Sequence, residues 1–200
     1  MHKFKNFYRN FWMNTLLKSA KIIDPNSSFH GNTLDILILN GTIDKIDKSL
    51  DAPKASVIQH RNLCVSPGWF DSSVSFGEPG YEERETLKHG LSVAAASGFT
   101  QIAYNTNTNP LPTSKADISF LIRSATHTPT TLHPKGHITT QDNAQKLAEL
   151  HDLSQAGAIC FSNHKEPIDD PHLLLVALQY TRGFDGLVES FPIESQLAVH

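Results

Sequence analysis

Residues 84–104 read RETLKHGLSVAAASGFTQIAY and join a predicted helix to a predicted strand. The helix is predicted over Arg84 to Ser97, where leucines and alanines form an apolar stripe, and Gly98 supplies its C-terminal stop. The strand is predicted over Phe99 to Tyr104 and follows at once. This order of elements predicts a helix that packs against the strand it leads into.

Strands and helices continue to alternate after Pro67-Gly68. Further strands are predicted over 69–76, 130–138, 158–161 and 186–188, and further helices over 114–125, 142–155 and 171–180. Ser114 is the predicted cap of the first of these helices, with Asp117 at its third position. Strict alternation predicts parallel strands joined by crossover helices.

The length of this alternating region limits the fold class. Residues 67–200 hold four strand–helix units and a fifth strand, whereas a closed (β/α)8 TIM barrel takes about 250 residues. The predicted fold is therefore α/β, with about the first half of such a barrel. A five-stranded doubly wound sheet also fits the alternation. However, no glycine-rich phosphate loop follows the first strand, and a small β-module in front is unusual for that fold.

The residues before the barrel predict a small β-module over 13–66, interpreted as part of a β-sandwich. Leu34 to Leu39 is an apolar strand, Asn40-Gly41 is a strong hairpin signal, and Ser56 to Ile58 begins another strand. Residues 1–12 are basic and aromatic but lack the apolar region and cleavage site of a secretory signal. They are interpreted as an N-terminal extension.

Composition excludes several classes of function. The 200 residues include 17 Lys and Arg against 20 Asp and Glu, a net charge of −3, so no basic patch for nucleic acid or an anionic membrane is expected. No apolar run approaches the roughly 18 residues of a membrane span. Cys64 and Cys160 lie in apolar runs and are expected to be buried and unpaired, which favours a cytoplasmic location.

Five motifs follow one another along the chain: VSPGWFD (65–71), EPG (78–80), AAASGFT (94–100), NTNP (107–110) and GAICFS (157–162). In this order they resemble the dihydroorotases of the amidohydrolase superfamily. Residues 21–25 and 34–38 also resemble the β-module that precedes the barrel in that family. The resemblance implies a zinc hydrolase of pyrimidine biosynthesis that interconverts carbamoyl-aspartate and dihydroorotate, in which metal-bound hydroxide attacks the ring carbonyl.

This sequence departs from the family at the metal-binding positions. The family's first barrel strand carries the pattern Asp-x-His-x-His-x-Arg-x-Pro-Gly, but here Ser73 and Ser75 replace the histidines and Gly77 replaces the arginine. Asn163 stands where the family has a bridging aspartate. Ser190 stands where the fifth strand ends in a histidine, with Glu189 one position away.

These departures predict a degenerate metal site at Ser73, Ser75, Asn163 and Ser190, because a neutral hydroxyl or amide is a poor zinc ligand. No metal ligand, catalytic residue or cofactor is therefore predicted. Asn107 is the motif residue near the substrate that survives, as a vestigial substrate-binding residue, although asparagine in such a loop commonly caps a turn.

Other residues could in principle form a replacement site. His133 and His137 are predicted to share one face of a strand at about 13 Å, too far apart to bind one metal ion. His164 is predicted on a loop at the catalytic face, where an exposed histidine is the commoner interpretation. Glu189 and Glu78 could act as an acid/base pair, but Glu78 more often shapes such a loop.

The sequence therefore predicts a catalytically inactive dihydroorotase-like homologue, a pseudoenzyme. The expected partner is another pyrimidine-pathway enzyme such as aspartate carbamoyltransferase, and a full-length version is expected to be a homo-oligomer; neither membrane nor nucleic acid is an expected partner. Two alternatives stay open: an active cyclic-amide hydrolase with a displaced metal site or none, and a truncated fragment without a function of its own.

Overall fold

The computed structural model describes residues 14–193. The predicted extension over residues 1–12 lies outside this described part. Within it the chain forms two compact units, which divide between Pro67 and Gly68.

The first unit contains one mixed sheet. Its strands are β1 (Thr15–Ile22), β2 (Thr33–Leu39), β3 (Thr42–Asp47), β4 (Ser56–Ile58) and β5 (Cys64–Val65). They lie in the order β3-β2-β1-β4, and β5 also pairs with β1. Antiparallel β2 and β3 are joined by Asn40 and Gly41, whose φ angles of 52° and 78° form the predicted hairpin turn.

A buried carboxylate fastens this sheet to the loop that follows β3. Asp35 accepts hydrogen bonds from the Lys18 ammonium at 2.7 Å, the Ser19 N–H at 2.9 Å and the Leu50 N–H at 2.9 Å. Burial alone would raise the pKa of Asp35, but these hydrogen bonds outweigh it and the pKa lies below its ordinary value. Asp35 is therefore ionised in the folded state, and both of its carboxylate oxygens accept hydrogen bonds.

The expectation that both cysteines are buried is wrong for Cys64, which is exposed, and confirmed for Cys160. The short strand β5 pairs with β1 and alternates its side chains, so Val65 packs against the apolar cluster of the sheet while Cys64 points outward.

The second unit contains the predicted alternation of five strands and four helices. The elements are β6 (Trp69–Val74), α1 (Leu87–Ala96), β7 (Phe99–Tyr104), α2 (Lys115–Ser124), β8 (Thr131–Pro134), α3 (Leu150–Ala156), β9 (Phe161–Ser162), α4 (Pro171–Arg182) and β10 (Val188–Glu189). Strands β6, β7 and β8 are parallel neighbours, as are β9 and β10. A parallel bridge between Gly136 and Phe161 connects the two groups.

The strands of the second unit therefore follow one another in space in chain order. A doubly wound sheet reverses its strand order at a switch point, whereas a barrel adds each strand beside the last. The unit is part of a (β/α)8 barrel, and the doubly wound alternative does not describe it. None of the helices in residues 14–193 is long and apolar enough to cross a membrane.

One helix begins where it is predicted and another begins later than predicted. Helix α2 begins as expected, because Ser114 and Asp117 form a reciprocal capping box. Helix α3 begins at Leu150 rather than at residue 142. The preceding residues form a loop in which the Thr140 N–H bonds the Lys146 carbonyl and the Ala148 N–H bonds the Ile138 carbonyl. These backbone bonds within the loop take the place of helical ones.

Candidate functional site at the carboxyl ends of the barrel strands

The barrel strands place polar side chains at their carboxyl ends. On β7, Ile102 and Tyr104 pack with the apolar side chains of α1 and α2, so the alternate residues Ala103 and Asn105 face the other way, into the barrel. Hydrogen bonds connect the polar side chains on this inner face into two groups. We call them together the strand-end cluster: Ser73, Ser75, Asn105, Lys135, Ser162 and Glu189.

Ser73 and Ser75, the predicted degenerate histidine positions, are brought together by one buried amide. The Asn105 Nδ2 group donates to the Ser73 Oγ at 3.1 Å and to the Ser75 Oγ at 3.0 Å. Ser75 in turn donates to the Asn107 Oδ1 at 2.8 Å. Asn105 is 2% exposed, and its Oδ1 is the buried side-chain atom without a hydrogen-bond partner among the described residues.

This arrangement does not fit a zinc ion. Zinc is held by thiolate, imidazole or carboxylate donors, whereas Ser73, Ser75 and Asn105 offer neutral hydroxyl and amide groups. Both hydroxyl oxygens also face an amide N–H, the wrong polarity for an oxygen that would coordinate a cation. Over residues 14–193 no group of three or more His, Cys, Asp or Glu side chains is placed so that it could hold a metal ion.

Gly77, at the predicted arginine position, occupies a backbone conformation that an arginine could adopt only with strain. Its φ is 143°, and a Cβ added there would meet the carbonyl oxygen of Tyr81. The Gly77 N–H donates to the Tyr104 hydroxyl at 3.2 Å, and that hydroxyl donates to the Glu78 carbonyl at 2.7 Å. Burial raises the pKa of Tyr104, so the phenol stays protonated and holds this loop.

Asn163, at the predicted bridging position, forms hydrogen bonds with the loop that follows β8. Its Oδ1 accepts from the Ile138 N–H and its Nδ2 donates to the Thr139 Oγ1, both at 3.1 Å. The side chain is buried and stabilises this loop. Ser190 follows β10 and is exposed. The structure therefore joins Ser73 to Ser75 and Asn107 through hydrogen bonds and gives Asn163 different partners.

The two histidines predicted on one strand do not share one. Strand β8 ends at Pro134, because the chain turns there into a loop whose backbone bonds β9 and the loop after β7. His133 contacts the Gln101 side chain at 2.9 Å. His137 is buried in the loop, and its Nδ1 lies 2.8 Å from the Thr139 carbonyl oxygen. Burial lowers the pKa of His137, so the ring is neutral and donates its Nδ1–H.

Glu78 and Glu189, weighed as an acid/base pair, have separate partners. The Glu78 Oε2 accepts from the Leu87 N–H at 2.7 Å, at the first turn of α1, so this side chain shapes the loop and caps the helix. Glu189 contacts Lys135. His164 is half-buried, and burial together with the charges of Lys165 and Lys135 lowers its pKa.

Lys135 was missed by the sequence reasoning. It is 1% exposed, and its Nζ lies 2.5 Å from the Glu189 Oε2. The Ser162 Oγ donates to the other carboxylate oxygen at 3.5 Å. The available signal was a single lysine inside the strand predicted over 130–138, an apolar setting that is unusual for a charged side chain. Nearby Cys160 is a thiol, because burial raises its pKa to about 11.

Comparisons of the sequence with protein families and with curated proteins agree on one family. The family model described as Dihydro-orotase-like matches residues 62–188. A dihydroorotase from Geobacter sulfurreducens is 36% identical over 180 residues, which cover 89% of this chain and 42% of that protein. A dihydroorotase from Lactococcus lactis is 34% identical over 88% of this chain and 41% of its own length. The chain thus spans about two-fifths of the length of these curated relatives.

Solved structures share the fold. The L-hydantoinase (dihydropyrimidinase) from Arthrobacter aurescens superposes with a TM-score of 0.72 at 18% identity, over 88% of this chain and 40% of that chain. A dihydroorotase crystal structure gives a TM-score of 0.61 at 11% identity, over 88% of this chain and 50% of that chain. At these identities the likeness shows the fold alone.

Proposed function

Because the chain belongs to the dihydroorotase-like family, we propose that it is a non-catalytic homologue of the zinc-dependent enzymes of pyrimidine biosynthesis. The observation that carries this proposal is the hydrogen-bonded group of Ser73, Ser75 and Asn105. At the end of the first barrel strand, two hydroxyls bound to an amide stand where the family pattern has two histidines.

The chemical consequence concerns the attacking oxygen. Free water has a pKa of about 15.7, and a zinc ion lowers it to about 7, which makes hydroxide available at neutral pH. Over residues 14–193 the barrel strands present no set of donors for the ion, so these residues offer no means of lowering that pKa. The available side chains do not replace it: Glu78 caps α1, Glu189 is paired with Lys135, and the Cys160 thiol is protonated.

Restoring the donors tests this proposal. One variant of the full-length protein carries four substitutions together: Ser73→His, Ser75→His, Asn163→Asp and Ser190→His. Zinc content is then measured by elemental analysis, and dihydroorotate ring opening is followed by absorbance. We expect the fourfold variant to bind more zinc than its parent.

A matched control carries Ser92→His and Ser124→His, which add imidazoles at exposed positions of α1 and α2. This control is expected to bind no more zinc than the parent. Equal zinc in the fourfold variant and in this control would show that the four positions are not the family's ligand positions.

The role left to such a homologue is structural, as a partner of another pyrimidine-pathway enzyme such as aspartate carbamoyltransferase. Its support is the retained fold together with the lost donors. Co-expression of the full-length protein with the aspartate carbamoyltransferase of the same organism, followed by analytical ultracentrifugation, tests it. A co-sedimenting complex is expected, and independent sedimentation of the two proteins would contradict the role.

A further inference from the structure

Lys135 is a charged side chain with the burial of a core residue. It follows β8 and is 1% exposed, which is comparable with Leu87 of the apolar core. A buried ammonium without a partner is strongly unfavourable, so its surroundings have to supply an opposite charge. Glu189, at the end of β10, supplies it at 2.5 Å.

This ion pair connects three consecutive strands at one end of the barrel. Lys135 follows β8, Ser162 ends β9 and Glu189 ends β10. The Glu189 carboxylate receives the ammonium on Oε2 and the Ser162 hydroxyl on Oε1. The backbone N–H of Lys135 also donates to the Tyr104 carbonyl of β7 at 3.0 Å, which fixes the start of the side chain.

The residues that surround the ammonium adjoin two predicted ligand positions along the chain. The ion-pair partner Glu189 directly precedes Ser190, and Ser162 directly precedes Asn163. The Lys135 charge acts on neighbouring residues as well, since it contributes to the lowered pKa of His164. The Lys135–Glu189 ion pair therefore lies at the strand ends where the family pattern places ligands for a divalent cation.

We propose that Lys135 is a built-in replacement for the metal ion: its ammonium neutralises Glu189, ties β8 to β10 and repels divalent cations from the strand ends. This inference rests on the proposed function, because it concerns the same site. Like charges repel strongly in the weakly screened interior of a protein. The Lys135 ammonium also forms an ion pair with Glu189, the carboxylate in the strand-end cluster that could otherwise coordinate a cation.

Zinc affinity with and without the ammonium tests this proposal. In the fourfold donor variant described above, Lys135→Met removes the charge and keeps a side chain of similar length. We expect zinc to bind at least tenfold more tightly, measured by competition with a chromophoric chelator. Lys135→Arg keeps the charge and should leave the affinity low. Lys165→Met removes an exposed lysine near the same loop and should change it less than twofold.

Equal zinc affinity with and without Lys135 would overturn the proposal. If the fourfold variant does not fold, the same comparison is made with Ser162→His alone, which places one imidazole beside Glu189. Tighter zinc binding after Lys135→Met is again expected, and no difference would overturn the inference. Zinc bound tightly by the unmodified protein would instead overturn the proposed function, so the two failures are distinguishable.

Discussion

Substitution of Lys135 and substitution of Glu189 should change the free energy of unfolding by different amounts, because only the lysine of this pair is fully buried. The Lys135 side chain is 1% exposed and that of Glu189 is 44% exposed. Glu189→Gln leaves the buried ammonium without its counter-charge. Breaking a fully buried pair costs about 3–5 kcal/mol, and the half-exposed carboxylate reduces this to about 2–3 kcal/mol.

Lys135→Met should cost far less. The methionine fills the buried space, and the Glu189 carboxylate that it leaves behind is already solvated, so the cost is about 0–1 kcal/mol. The double variant should resemble Lys135→Met, because neither charge is then left unpaired. The coupling free energy between the two residues then equals the cost of Glu189→Gln, about 2–3 kcal/mol.

Urea unfolding of the four proteins, followed by circular dichroism at constant pH, measures these differences. Glu166→Gln is the matched control, since Glu166 is an exposed glutamate on the loop after β9. Its effect should stay within about 0.5 kcal/mol. Additive effects of the two substitutions, or a larger loss from Lys135→Met than from Glu189→Gln, would refute the reasoning.

Three further predictions concern the scaffold. Ser114→Ala should destabilise by about 1 kcal/mol, because it removes the capping box of α2; the same substitution at exposed Ser124 should not, and equal urea midpoints would contradict the cap. Gly77→Ala should cost about 2 kcal/mol or more, because its Cβ would meet the Tyr81 carbonyl. Gly98→Ala, at φ 90° with open space around it, should cost only about 1 kcal/mol, and equal losses would contradict the steric argument. Asp35 has a lowered pKa, so its stabilisation is complete above the unfolded-state pKa and is lost as the pH falls through the folded-state pKa. The loss caused by Asp35→Asn should therefore shrink from about pH 6 to about pH 3, whereas Asp44→Asn on exposed β3 should have little effect at either pH.

Local signals in the sequence were sufficient for most of the fold. The capping residues of α2 and the Asn40-Gly41 turn act within a few residues, so each could be predicted from the chain alone. The start of α3 could not. Its predicted first eight residues form a loop instead, because their backbone groups bond to Ile138 and Thr140 in the loop that follows β8. These backbone hydrogen bonds depend on the tertiary arrangement of the loop, which the periodicity of apolar residues does not reveal.

The site could be predicted in part. The motifs located Ser73, Ser75 and Asn107 at one end of the barrel, and the structure connects them through hydrogen bonds. Asn105, which links them, was missed because asparagine after a strand is also an ordinary turn residue. Lys135 was missed because its partner Glu189 lies 54 positions away along the chain. An ion pair between residues so far apart along the chain becomes visible only when the strands are assembled.

The central claim is that the strand ends of this barrel do not hold a catalytic metal ion. Its most direct test is a single preparation of the full-length protein, purified without chelators and supplied with zinc. Elemental analysis and dihydroorotate ring opening are then measured on the same sample. The account predicts well below one tightly bound zinc ion per chain and no ring opening above the uncatalysed rate. One or more retained zinc ions per chain, accompanied by turnover, would contradict it.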